Sequence, residues 1–289
     1  MRKTLTLILT VILSLSMAAC NQTAGSVNGD NDNKGKETQN KSDLTLTEVF
    51  EKSGDAMNGL ESYAAVMNMT QKMEMAGESM DIGSKTDMQY IVDPLTLHQK
   101  IEIDMGEENQ IQAMEAYLTE DGFFMYEPSQ DMWLKLPEEF VDQVLNLQEG
   151  QQNPADQLKQ LETFIDDFKF TQDDSQYILT LKADGEKFNE FLKETMLSAM
   201  PEGLPLDDEL FGNMTFNEVE YEIFIDKKSF YTTQLNMTMD MDTDVEGQTM
   251  KMKQKMNAVY SNFNGIDSIQ VPEEALENAQ DIDSFQNGE

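Results

Sequence analysis

Six methionines in the stretch "QLNMTMDMDTDVEGQTMKMKQKM", residues 234–256, set the tightest limit on how this chain folds. Met237, Met239 and Met241 alternate with polar residues, a turn-forming "TDVEG" follows, and Met250, Met252 and Met256 resume the alternation. A period of two puts such side chains on one face of a strand, whereas a helical stripe needs spacings of three and four. The pattern recurs upstream. In "SYAAVMNMTQKMEM", Tyr63, Ala65, Met67, Met69, Met73 and Met75 share a face. Ile82, Met88, Tyr90 and Val92 carry a second run, and Leu95, Leu97, Ile101, Ile103 and Met105 a third. "QIQAMEAYL", "FFMYE", "SQYILTLKA" and "MTFNEVEYEIFI" read the same way. Alternating runs parted by turn residues argue for an antiparallel sheet with one buried face.

Helices flank these runs. Leu46, Val49, Phe50, Met57 and Leu60 recur at helical spacing, with Thr45 or Thr47 placed to cap. In the middle, "PEEFVDQVLNLQ" and "PADQLKQLETFIDDF" each open with proline at a first-turn position, and "GEKFNEFLKETMLSAM" gathers Phe188, Phe191, Leu192 and Met196 on one side. The order is helix, sheet, helices, sheet. It fits one β-rich domain over residues 43–276, followed by an acidic tail at 277–289.

The N-terminus reads as an address. Arg2 and Lys3 precede an apolar run from Leu5 to Leu15, and "SMAAC" places two alanines before Cys20. That is the build of a secretory signal over residues 1–19, too short for a retained membrane span. Cys20 is the one cysteine among 289 residues, so the chain forms no internal disulfide and holds no CxxC motif. A lone thiol at the cleavage point reads as a lipid-attachment site. Residues 20–42 hold almost nothing apolar and read as a tether.

Charge narrows the partners. The formal net charge is −35, and removing Arg2 and Lys3 with the signal takes it to −37. Such a chain repels phosphate backbones and anionic headgroups, which argues against nucleic acid and against charge-driven membrane contact by the folded body.

Enzyme chemistry finds little to use. One histidine, His98, and no arginine beyond Arg2 leave no Cys–His pair, two-histidine metal site or arginine clamp. His98 stands opposite the Leu97/Ile101 set, at an expected exposed strand position. Asp240, Asp242 and Asp244 imitate the start of a calcium loop, but Val245 and Lys251 occupy the positions that need glycine and glutamate. Tyr126 and Trp133 read either as a binding lip or as strand aromatics. No cofactor is expected.

Methionine itself leaves three readings: ordinary core, an adaptable lining for a greasy ligand, or thioether ligands for a soft metal. No histidine or cysteine stands beside the Met-x-Met pairs, so no metal site is assigned. The candidate ligand-binding residues are Met67, Met69, Met73, Met88, Tyr90, Met237, Met239, Met250 and Met252.

Cys20 with its signal, the polar tether, the first helix, the Met-alternating hairpins, the "DP" and "DKKSF" turns and the terminal "VPEEA" resemble uncharacterised lipoproteins of Gram-positive bacteria. Those are in turn similar to the LolA/LppX group of half-barrel lipoprotein carriers. The resemblance implies an α+β fold: a strongly curved, open antiparallel sheet with helices packed on its concave face. It also implies a diacylglyceryl anchor at Cys20, a place on the extracytoplasmic face of the cell membrane, and acyl chains held between sheet and helices. The expected function is non-enzymatic binding of a hydrophobic or lipid-like ligand. The alternative is an acidic interaction or scaffold lipoprotein whose core is filled by its own side chains. Any protein partner is unknown.

Overall fold

The structure is a computed structural model that describes residues 25–26, 42–106, 111–137, 141, 164, 167–183, 188–193, 214–245 and 247–282. The expected signal, Cys20, most of the helices expected at 137–148 and 154–168, and the second half of the helix expected at 185–200 lie outside the described residues.

The alternating segments become the strands β2 (Ser62–Met75), β3 (Glu78–Ile91), β4 (Thr96–Asp104), β5 (Ile111–Thr119) and β6 (Gly122–Glu127), then β9 (Gln176–Ala183), β10 (Thr215–Asp226), β11 (Thr232–Val245) and β12 (Gln248–Ser261). Short strands β7 (Met132–Lys135) and β8 (Phe168–Gln172) complete the antiparallel set. The two sheet regions of the sequence are one sheet. Strand β12 pairs along its length with β2, from Met250 opposite Met75 to Ser261 opposite Ala64. The order is β1-β8-β9-β10-β11-β12-β2-β3-β4-β5-β6-β7-β13, and the sheet does not close on itself.

A two-residue strand lies along part of each outer edge. Strand β1 (Gly25–Ser26), inside the expected tether, runs parallel to β8, and β13 (Gln280–Asp281) runs parallel to β7. Beside β1, the Gln172 amide donates to the Ser42 carbonyl and accepts from the Ser42 N–H, imitating one more rung of the ladder. Even this short pairing leaves fewer free N–H and C=O groups to recruit another chain. Of the acidic stretch expected as a tail at 277–289, residues 277–282 are described, and Gln280–Asp281 pair with β7.

Helix α1 (Leu46–Asn58) begins after Thr45, one of the two expected caps. The Thr45 hydroxyl accepts from the Glu48 N–H while the Glu48 carboxylate accepts from the Thr45 N–H, a reciprocal capping box. Its apolar side brings Leu46, Val49 and Phe50 into the main core, where the Phe50 ring meets Phe168 edge-on at 6.0 Å. Helical residues 188–193 reach the same core through Phe188 and Leu192. Asn189 fixes them to β10, accepting from the Phe216 N–H at 2.6 Å and donating to its carbonyl at 3.0 Å.

Two sequence expectations need correction. Phe168 was assigned to the end of a helix, yet it opens β8, whose "FKFTQ" buries alternate residues Phe168, Phe170 and Gln172. Five residues are too few for alternation to stand out beside the preceding helical stripe. His98 is half-buried rather than exposed: its Nε2 lies 2.8 Å from Glu115 Oε1, and its ring stacks on Tyr117 at 4.3 Å.

Candidate functional site

Register decides which side chains meet. Adjacent rows cross β11, β12, β2 and β3 as Met241–Met252–Met73–Met80, then Met239–Gln254–Gln71–Ile82, Met237–Met256–Met69–Ser84, and Leu235–Ala258–Met67–Thr86. Directly paired residues point to the same side of an antiparallel sheet. All nine candidate residues therefore share one face, here called the methionine face. The remaining three, Met88, Tyr90 and Met250, pair with Ala65, Tyr63 and Met75.

That face has two parts. Across β8–β12 it is closed: Met237, Met239, Met241, Met252 and Met256 are buried in the core shared with α1, Phe188 and Leu192, together with Val219, Tyr221 and Ile223. Met73 belongs to that core, and Met250 and Tyr90 are buried too. Across β2–β5 it is half-open. Met67, Met69, Met88, Ile101 and Ile103 are half-buried, and Met114, paired with Ile101, is 40 % exposed. Beyond it Leu118 and Leu134 close the face again. The open part thus spans four strands, a width of about 14 Å at the usual spacing between strands. Ser84, Thr86 and Gln99 add polar groups to its floor.

Tyrosines bound this floor at the start of β2. The Tyr63 ring lies 5.2 Å from Tyr90 and 6.3 Å from Tyr260. Among the described residues the buried Tyr90 hydroxyl meets no hydrogen-bond partner, and burial pushes its pKa up to about 12. Burial, then the neighbouring Tyr260 and Tyr90, raise Tyr63, and burial alone raises Tyr260. A phenol kept neutral in an apolar wall is a hydrogen-bond donor held ready.

The opposite face is solvated over most of the sheet. Lys251, Lys253 and Lys255 alternate with the methionines of β12. Lys253 bonds Asp240 at 2.7 Å, and this hydrogen bond leads the causes that lower the Asp240 pKa. The imitation calcium loop is thus a strand end and turn, with Asp244 accepting from the Gly247 N–H. Among the described residues, no group of three or more His, Cys, Asp or Glu side chains is placed to hold a metal ion. Across β5–β7 the opposite face is apolar instead. Tyr117, Phe124 and Trp133 form a second cluster under Val271 and Ala275 of the C-terminal segment, whose helix α2 spans Glu273–Asn278. Tyr126 packs on Trp133 at 5.3 Å. Of the two readings, Tyr126 and Trp133 are strand aromatics, packed against the chain's own C-terminal segment.

Two residues of the methionine face went unnoticed in the sequence, Gln71 and Gln254. They pair directly across β2 and β12 and are only 5 % and 1 % exposed. The pattern held a signal: both stand at the apolar phase of strands that otherwise place methionine there.

A model described as a family of unknown function, DUF6612, matches residues 45–280. The chain belongs to that family. No curated protein matches it. Among solved structures, LprF from Mycobacterium bovis is similar at 11 % identity, with 79 % of this chain and 96 % of that one covered and a TM-score of 0.37. The LolA superfamily protein NE2245 from Nitrosomonas europaea is similar at 10 % identity, covering 81 % and 97 %, with a TM-score of 0.18. A putative outer membrane lipoprotein-sorting protein domain from Vibrio parahaemolyticus is similar at 10 % identity, covering 80 % and 95 %, with a TM-score of 0.22. Likeness at this level transfers neither a ligand nor a role. No helix among the described residues is long and apolar enough to cross a membrane.

Proposed function

We propose that this protein is a non-enzymatic lipoprotein, anchored through Cys20 on the extracytoplasmic face of the cell membrane, that binds a hydrophobic or lipid-like ligand on its methionine face. The sheet curves into an open half-barrel with helices over the concave side, and the ligand enters between the two. The observation that carries the reading is the half-open floor of Met67, Met69, Met88, Ile101, Ile103 and Met114, set between two closed regions of the same face. Methionine's unbranched, polarisable side chain adapts to variable apolar shapes. Binding would draw on burial of apolar area, on the order of 25 cal/mol per Å² before ordering costs, and so depend little on salt.

One observation favours the scaffold alternative: Met237, Met239, Met241, Met252 and Met256 already pack on the protein's own side chains. Native mass spectrometry of the full chain, extracted gently from its host's membranes, separates the two. A co-purifying lipid mass that is lost on denaturation supports the carrier. A clean protein mass with no uptake from liposomes refutes it.

A further inference from the structure

Gln71 and Gln254 lie at the centre of the methionine face with apolar side chains on every side. Met69 and Met73 flank Gln71 along β2, Met252 and Met256 flank Gln254 along β12, and Met239 and Ile82 stand across the outer rungs. The Gln71 Nε2 faces the Met252 sulfur, a thioether that accepts but does not donate. Among the described residues, the buried Gln71 Oε1 meets no donor and the buried Gln254 Nε2 meets no acceptor. The two residues face each other across one rung, with Cβ atoms about 5 Å apart, yet these two atoms do not satisfy one another. A buried polar atom without a partner is rare in native proteins and asks for an explanation. Methionine has the same length and stands at five of the six surrounding positions, so packing alone gives no reason for glutamine here.

We propose that this pair recognises the polar group of an acyl ligand, and that it selects an amide-linked chain over an ester-linked one. The proposal rests on the ligand reading above and names the chemistry of that ligand. The open groups are one donor, Gln254 Nε2, and one acceptor, Gln71 Oε1, on paired residues of neighbouring strands. An amide lying between them meets both, because its carbonyl and N–H point opposite ways: the carbonyl accepts from Gln254 on one side and the N–H donates to Gln71 on the other. An ester carbonyl meets only Gln254. A carboxylate would bring an unpaired charge into an apolar surround and set it against the lone pairs of the Gln71 oxygen, which disfavours it. From the pair, the same face continues along β2 past half-buried Met69 and Met67 to Tyr63, a run of eight residues or about 27 Å. That run gives the acyl chain its path.

The test is displacement of the neutral fluorescent probe N-phenyl-1-naphthylamine from the full-length protein by N-methylmyristamide and by methyl myristate. These two competitors have the same acyl chain and differ in one N–H. The amide should displace the probe at about tenfold lower concentration than the ester, the worth of one buried hydrogen bond. In Gln71→Met the amide-to-ester ratio should fall to about one with ester displacement retained, whereas Gln254→Met should weaken both competitors. Equal displacement by amide and ester in the unmodified protein overturns the proposal and leaves the ligand reading standing. Equal weakening of both competitors in Gln71→Met also overturns it. Probe binding that neither competitor reverses overturns the ligand reading and the proposal together. The comparison in the unmodified protein decides the matter even where a variant does not fold.

Discussion

If Gln71 and Gln254 are kept for a ligand, the empty protein should become more stable without them. Replacing both with methionine removes two buried atoms that lack partners among the described residues, each costing about 1–3 kcal/mol. The Gln71–Met252 bond is lost, but sulfur is a weak acceptor and its worth is under about 1 kcal/mol. Both residues are unbranched and flexible, so the side-chain entropy lost on burial nearly cancels. The net expectation is about 2 kcal/mol of added stability for Gln71→Met with Gln254→Met. With a urea slope of roughly 3 kcal/mol per molar for a chain of this size, the midpoint should rise by roughly 0.7 M at unchanged slope. Trp133 is the one tryptophan and lies buried on β7, so its fluorescence reports the transition, with circular dichroism as a second probe. An unchanged or lower midpoint would refute the reasoning, because it would mean that the two amides are already satisfied in the ligand-free protein.

Three further outcomes follow from local structure. Thr45→Ala breaks the capping box of α1 and should cost about 1 kcal/mol, lowering the thermal midpoint by about 2–4 °C in calorimetry. Gly77→Ala and Gly106→Ala both force alanine to positive φ, at +85° and +73°, a cost of about 1–2 kcal/mol. At Gly106 the new Cβ would also stand 2.7 Å from the Asp81 carbonyl oxygen, so Gly106→Ala should be clearly the worse in parallel urea titrations. Burial raises Tyr63, Tyr90, Tyr117, Tyr221 and Tyr260 above the ordinary phenol range. A folded pKa above the unfolded one gives stability that is complete below about pH 10 and is lost as pH climbs through the folded value, about 12 for Tyr90. Phenolate absorbance should therefore rise together with loss of circular dichroism above pH 10; full tyrosine titration with the fold intact would contradict this.

The strands were legible because the strongest signal in the sequence, alternation, depends on one strand at a time. Met67, Met69 and Met73 could be placed on one face of β2 from spacing alone, and Thr45 could be named as a cap from its side-chain chemistry. What spacing could not supply was pairing. Nothing local says that β12 lies beside β2, and that one junction brings Met252 against Met73 and Gln254 against Gln71. The split of the methionine face into closed and half-open parts is also non-local, since it depends on where α1 and residues 188–193 pack. His98 was misjudged for the same reason: its own strand exposes it, and Tyr117 and Glu115 of the next strand cover it.

The two glutamines mark where rule-following in the sequence stops. Propensity, alternation and burial agree at nearly every position of β2 and β12, and agreement across levels is what specifies a single fold. At Gln71 and Gln254 they conflict, because the phase demands an apolar side chain and the residue is polar. One such residue reads as noise in a pattern. Two of them, paired across neighbouring strands with a donor and an acceptor both left open among the described residues, are hard to attribute to folding, which gains nothing from them. A cost with no structural return points to selection for something outside the empty chain, and a ligand bearing the complementary acceptor and donor would supply the missing return.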